Sequence, residues 1–269
     1  MGVSTMSDYD RNAAAAPLGQ AFGRAGSVAV DEGLRVYMLR IYNFMVLGLA
    51  ITGAAALATY MLSVTTDPSL AALKMRDGLM LTAFGKALFV SPLKWVVIFA
   101  PLGLVFLLSF AIDRMRPATA QIMFWIYAAL VGVSLASIFM VFTHTSIVRV
   151  FFITAASFGA LSLWGYTTQR DLTGMGSFLL MGLFGVILAS IVNLFMASSA
   201  LQFAISVIGV VVFAGLTAWD TQRLKTEYLY GAMDGEVAER SAIIGALSLY
   251  LNFINLFTLL LQLLGQREE

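Results

Sequence analysis

Three polar residues interrupt the apolar run ALSLYLNFINLF, residues 246–257: Ser248, Asn252 and Asn255. Spacings of four and three put them on one face of a helix, as a stripe of hydroxyl and amide groups along a greasy rod. In hydrocarbon such a stripe has to face protein rather than lipid. A carboxylate stands upstream, Asp220 in GLTAWDTQRLK, with Trp219 beside it marking an interfacial or slightly deeper level. A charge at membrane depth costs enough that it has a partner or a task, and the task of a carboxylate there is to hold a proton or a cation. A plainer role stays open for Asp220: capping the helix exit, or pairing with Arg223 three residues on. Arg114 is the second ionisable residue of interest, with a positive-inside anchor as its simplest reading. Arg149 is expected to snorkel outward, and His144, in FTHTS, to lie in a surface loop. With no cysteine and His144 as the single histidine, thiol catalysis, disulfides and His- or Cys-ligated zinc are excluded. No spacing suggests a Ser–His pair, so no enzyme is expected.

The elements that must position these residues are set by the solvent. Of 269 residues 60% are hydrophobic and 12% charged, and the mean hydropathy is +0.88, too few charges to coat a soluble globule. The chain reads as an all-α integral membrane protein in a lipid bilayer. A net charge of +1 with no concentrated basic face argues against nucleic acid as a partner. Apolar stretches recur at roughly 41–63, 94–112, 121–143, 147–167, 175–197, 201–221 and 242–264, each near the ~20 residues that cross ~30 Å of hydrocarbon as a helix. Charged punctuation separates them, such as Lys74, Arg76, Asp77 and Lys86 after the first. The break near Ala197–Ala200 carries no charge, and Thr221–Arg240 reads as the longest charged loop.

Residues 1–30 read as a disordered tail and 31–269 as a single seven-helix domain. The tail is not a signal peptide, because Asp8 and Asp10 spoil a basic start and no apolar core follows before about residue 41. The tail and the loops after spans two, four and six carry ten Lys and Arg, and the other side carries six. That bias predicts a cytoplasmic N-terminus in a multi-pass inner-membrane protein. Small residues four apart, Gly132/Ala136 and Ala155/Gly159, are expected to let helices approach closely. A retinal protein is disfavoured, since the last span has no lysine.

Three segments carry a resemblance: ALSLYLNFINLF, FAGLTAWDTQRLK (213–225) and SIVRVFFITAASFGALSLWGYTTQRDL (146–172). Together they resemble the transmembrane Bax inhibitor motif, or Bax inhibitor-1, family, and most closely its bacterial members, over roughly residues 35–265. The resemblance implies a seven-transmembrane-helix bundle with six helices around a central C-terminal helix. It also implies a pH-sensitive calcium leak, with calcium as the transported ion and no other cofactor. In that mechanism acids on spans six and seven share a proton, and an arginine near the end of span two latches the closed state. Asp220 matches the first acid, and is the carboxylate left for calcium; Arg114 best matches the latch, with Arg116 the other arginine that could reach Asp220. The span-seven position, aspartate in an LYLDF pattern, is Asn252 here, whereas Asn255 matches the pattern and reads as structural. Two carboxylates a few Å apart titrate as a coupled unit, and an amide does not titrate. A hard divalent cation also loses a charged ligand. The expectation is therefore a leak with blunted or displaced pH dependence. The alternative is a regulator of a membrane-bound AAA protease or stress response, as implied for some bacterial relatives, with the tail and Thr221–Arg240 as contact surfaces.

Overall fold

A computed structural model describes the backbone of residues 8–76, 79–111, 114–231 and 235–268, and within these the side chains from Asp31 onward apart from Arg76. The chain runs α1 (Asp8–Ser63), three short strands β1 (Val64–Thr65), β2 (Leu73–Arg76) and β3 (Leu79–Leu81), then α2 (Ala83–Phe89), α3 (Leu93–Ala111), α4 (Pro117–Leu135) and a single turn α5 (Ile138–Val141). It continues as α6 (His144–Thr167), α7 (Thr173–Met196), α8 (Ser199–Tyr230) and α9 (Gly235–Leu264). Among the described residues seven helical stretches are long and apolar enough to cross a bilayer: Asp31–Ser63, Leu93–Ala111, Pro117–Val141, His144–Thr167, Thr173–Met196, Ser199–Tyr230 and Gly235–Leu264. A helix satisfies its backbone internally, which is what hydrocarbon demands of any spanning segment. The chain is a multi-pass membrane protein with the all-α, seven-helix architecture expected of it. The tail expected over residues 1–30 falls outside the residues whose side chains are described.

The bundle is built around α9, the most buried span. Helices α1, α4, α6 and α8 pack directly on it, while α3 joins mainly through α4 and α7 mainly through α8. Glycine sets two of the close approaches. A Cβ on Gly132 would run into the backbone oxygen of Thr52, and one on Gly165 into that of Ala218, so α4–α1 and α6–α8 meet almost backbone to backbone. The Ala155/Gly159 expectation is corrected at Gly159, where a Cβ would meet nothing within 4 Å, while Ala155 is half-buried against the core.

Thr221–Arg240 is also not a loop. Helix α8 runs on to Tyr230 and α9 begins at Gly235, because loss of hydropathy marks the end of the hydrocarbon, not the end of the helix. The uncharged break between spans five and six is real and is made by local geometry. Ala197 adopts a left-handed conformation (φ 48°), the Ser198 N–H donates to Asn193 Oδ1 at 3.0 Å, and Ser198 Oγ caps α8 by accepting from the Leu201 N–H at 3.3 Å. Between the first two spans lies a small antiparallel sheet of order β1-β3-β2, with Val64 opposite Leu81 and Leu73 opposite Leu81. Thr82 Oγ1 caps α2 by accepting from the Gly85 N–H at 3.1 Å, and Gly85 seats against the backbone of Ser63.

Candidate functional site

Asp220 lies 21 residues into α8, about 32 Å from its start at ~1.5 Å per residue, or one hydrocarbon thickness. It is only 6% exposed, and Asn252 on α9 only 5%. The amide Nδ2 of Asn252 donates to Asp220 Oδ2 at 2.7 Å, and Arg223 Nη2 sits 2.8 Å from Oδ1. The guanidinium lies over the Trp219 ring, 5.0 Å from its centroid, and its Nη2 is 3.5 Å from Ser248 Oγ. Two members of the polar stripe therefore turn to α8, where Ser248 meets Arg223 and Asn252 meets Asp220. Asn255 instead donates to its own helix, to the Leu251 oxygen at 2.8 Å, in the structural role expected of it.

Each carboxylate oxygen of Asp220 thus already faces one cationic or amide donor, so a divalent ion there would have to share the carboxylate with Arg223 and Asn252. Among the described residues no three His, Asp or Glu gather as a metal cluster. The structure brings Asp220 and Asn252 together but does not bring Arg114 to them. Arg114 is exposed in the turn between α3 and α4, and Arg223 supplies the guanidinium. That i,i+3 pair follows from helix geometry alone.

Neighbouring residues on α8 fix this arrangement, because successive positions on a helix turn by about 100° and so face different elements. Thr221 Oγ1 is 2.9 Å from Ser162 Oγ on α6, which is 2.5 Å from Tyr42 Oη on α1. Gln222 Oε1 accepts from the Leu172 N–H at 2.8 Å, and its Nε2 donates to the Arg170 oxygen at 2.7 Å, clamping the α6–α7 connection. Lys225 Nζ donates to the Tyr166 oxygen at 2.8 Å, satisfying a carbonyl at the end of α6. Gly176 lets α7 close on Trp219, where a Cβ would overlap the indole.

A family model described as inhibitor of apoptosis-promoting Bax1 matches residues 34–269. The chain belongs to the Bax inhibitor-1 family. It is 48% identical over 239 residues to an uncharacterized protein of Rickettsia prowazekii, covering 89% of this chain and 93% of the relative. A protein of Caulobacter vibrioides is 44% identical over 265 residues, covering 98% and 100%. The inner membrane protein YbhL of Escherichia coli is 41% identical over 250 residues, covering 92% and 99%.

In this Bax inhibitor-1 family member, DTQRLK is the segment that ties the site together, and sequence reasoning reached only its aspartate and arginine. The polar string itself was the available signal for Gln222 and Lys225. Tyr42 and Ser162, 120 positions apart, gave none. A second polar cluster also went unread at the opposite end of the bundle. There Asn193 Nδ2 donates to Gln202 Oε1 at 3.0 Å, Gln202 Nε2 to Gln262 Oε1 at 2.5 Å, and Ser206 Oγ to Gln262 Oε1 at 2.9 Å. It joins α7, α8 and α9 below the site and helps fix the register in which α8 presents Asp220 to α9.

Proposed function

We propose that the protein is a cation leak of the inner membrane, without enzymatic activity, gated where α8 meets α9 by Asp220, Asn252 and Arg223. The observation that carries this reading is the 2.7 Å hydrogen bond between two buried groups, Asn252 Nδ2 and Asp220 Oδ2, one on each helix. In this reading the cluster holds the leak closed, because it ties α8 to α9 and puts a guanidinium on the carboxylate that a cation would use. Protonation of Asp220 removes the charge that both donors address and so loosens the tie. With Asn252 opposite, one carboxylate titrates in place of a coupled pair, and the response to pH is shallow. The family resemblance suggests calcium as the cation, and the excess of Lys and Arg around the charged end of α8 favours a cytoplasmic position for that end.

Calcium flux into dye-loaded liposomes, measured across a pH series, tests the reading. The wild type should leak with weak pH dependence, Asn252→Asp should steepen it by adding a second acid beside the first, and Asp220→Asn should flatten it. Steep gating in the wild type, or pH dependence that survives Asp220→Asn, sinks the gate assignment. Absence of flux at every pH in all three proteins sinks the leak itself and favours action through a protein partner, such as a membrane-bound AAA protease.

A further inference from the structure

Helices α1 and α6 do not close on each other along their length. Between them, floored by Phe253 and Phe257 of α9, lies a cavity of about 1130 Å³. Its rims carry exposed apolar side chains, among them Val46, Phe152 and Leu163, on residues of spanning helices, so the medium that reaches it is lipid. We propose that this groove binds one anionic glycerophospholipid, with an acyl chain along Gly53 and Gly159 and the phosphate at Arg35.

Three observations carry the proposal. The first is the pair of glycines. Gly53 and Gly159 both line the groove, and a Cβ on either would meet nothing within 4 Å. Glycine inside a helix is disfavoured relative to alanine, and at Gly132 and Gly165 it returns close packing, whereas Gly103 and Gly185, outside the groove, face open space as Gly53 and Gly159 do. At 53 and 159 no protein atom uses the space.

The second is the division of the lining. Arg35, Tyr42, Ser162 and Tyr166 stand at one end. From Met45 to Ala56 on α1 and from Ile147 to Gly159 on α6 the wall is apolar, since Thr52 turns its hydroxyl away to Tyr250 Oη at 2.6 Å and the Ala128 oxygen at 2.9 Å. Arg35 to Ala56 covers about 32 Å of helix, enough for a headgroup at one interface and a chain reaching through its leaflet. The third is Arg35 itself, exposed at the groove mouth. Among the described residues it makes no hydrogen bond or ion pair, not even with Asp31 or Glu32 on the preceding turn, and its planar fork suits a phosphate. None of this depends on the leak reading, because neither Asp220 nor Asn252 lines the groove.

The test is native mass spectrometry of the protein released from nanodiscs of equal phosphatidylglycerol and phosphatidylcholine. The wild type should carry one phospholipid, with phosphatidylglycerol favoured about fivefold, the preference one interfacial cation confers. Gly53→Leu/Gly159→Leu should lose the lipid while keeping its melting temperature, and Arg35→Gln should keep a lipid but lose the headgroup preference. Equal lipid on the wild type and the filled variant overturns the proposal, and so does a shift from dimer to monomer on filling, which would mean that a second copy seats in the groove. Should the filled variant fail to fold, phosphatidylglycerol with a diazirine on its acyl chain is cross-linked to the wild type. Label on the 46–53 and 152–159 segments supports the site, and label spread evenly over the outer faces of α3 and α7 overturns it.

Discussion

Replacing Asn252 with leucine keeps the size of the side chain and removes its donor to Asp220 Oδ2. A hydrogen bond to a charged acceptor is worth about 1.5–3 kcal/mol in soluble proteins, whereas interhelical hydrogen bonds inside membranes average about 0.6 and reach about 1.7, because the unfolded chain in a membrane also finds partners. The acceptor here is charged and buried, which argues for the top of the membrane range. Arg223 remains on Oδ1, but its side chain is 42% exposed and so partly screened, and it does not replace the lost amide. The expected loss is therefore about 1.5 kcal/mol. Asp220→Leu alone leaves Asn252 and Arg223 without their acceptor and should cost at least as much. The double variant Asp220→Leu/Asn252→Leu should cost little more than the larger single change, since removing both partners leaves no orphaned amide. The coupling energy from that cycle should be about 1–2 kcal/mol. Steric trapping in bicelles measures each stability reversibly. Additivity of the two single changes to within about 0.5 kcal/mol refutes the claim that this hydrogen bond holds α8 to α9.

Other expectations follow from the same coordinates. Gly165→Ala puts a Cβ 2.9 Å from the Ala218 Cα, against about 3.5–4.0 Å for ordinary carbon contact, and should cost about 1–3 kcal/mol through forced separation of α6 and α8. Gly159→Ala, in open space, should instead be neutral or stabilising by up to about 1 kcal/mol, and thermal unfolding of the two variants in one detergent checks the contrast. Gln222→Ala frees the Leu172 N–H and the Arg170 oxygen, so amide exchange at Leu172 should speed up at least tenfold, on the order of one lost hydrogen bond, without change around His144. Asp67 is held below the usual carboxylate range by the backbone N–H and then the hydroxyl of Ser69, and Asp171 by the hydroxyl and then the N–H of Thr173. Their folded values being depressed, the turns they brace are fully supported above pH ~3.9 and lose that support as pH falls through the lowered values. Amide exchange at Ser69 and Thr173, followed downward from neutral pH, should show protection lost only in strong acid; loss near pH 5 contradicts the assignment.

Much of the fold was legible because the bilayer reduces it to a local sum. Hydropathy over ~20 residues places a span wherever it is high, so all seven were found, with most ends displaced by a few residues and three by more: the first start by ten (41 to Asp31), the α8 end by nine (221 to Tyr230) and the α9 start by seven (242 to Gly235). The small sheet after Ser63 escaped notice because strands of two to four residues leave no period to read. Within the site, Asp220 and Asn252 announced themselves as polar groups where polarity is costly. Tyr42, Ser162 and Gln222 did not, since a hydroxyl or amide near a helix end is unremarkable until its partner is known.

The sequence alone determined a membrane-spanning helical bundle and the polar stripe of its last span. Only the tertiary structure decided which arginine meets Asp220, that the stripe divides between α8 and its own helix, and which small residues draw helices together and which leave a groove. The physical reason is rotation. A sequence fixes the angular order of side chains around each helix, but the azimuth at which each helix docks is set by packing summed over the whole bundle. Gly165 and Gly159, six residues apart on α6, differ only in what that rotation puts in front of them.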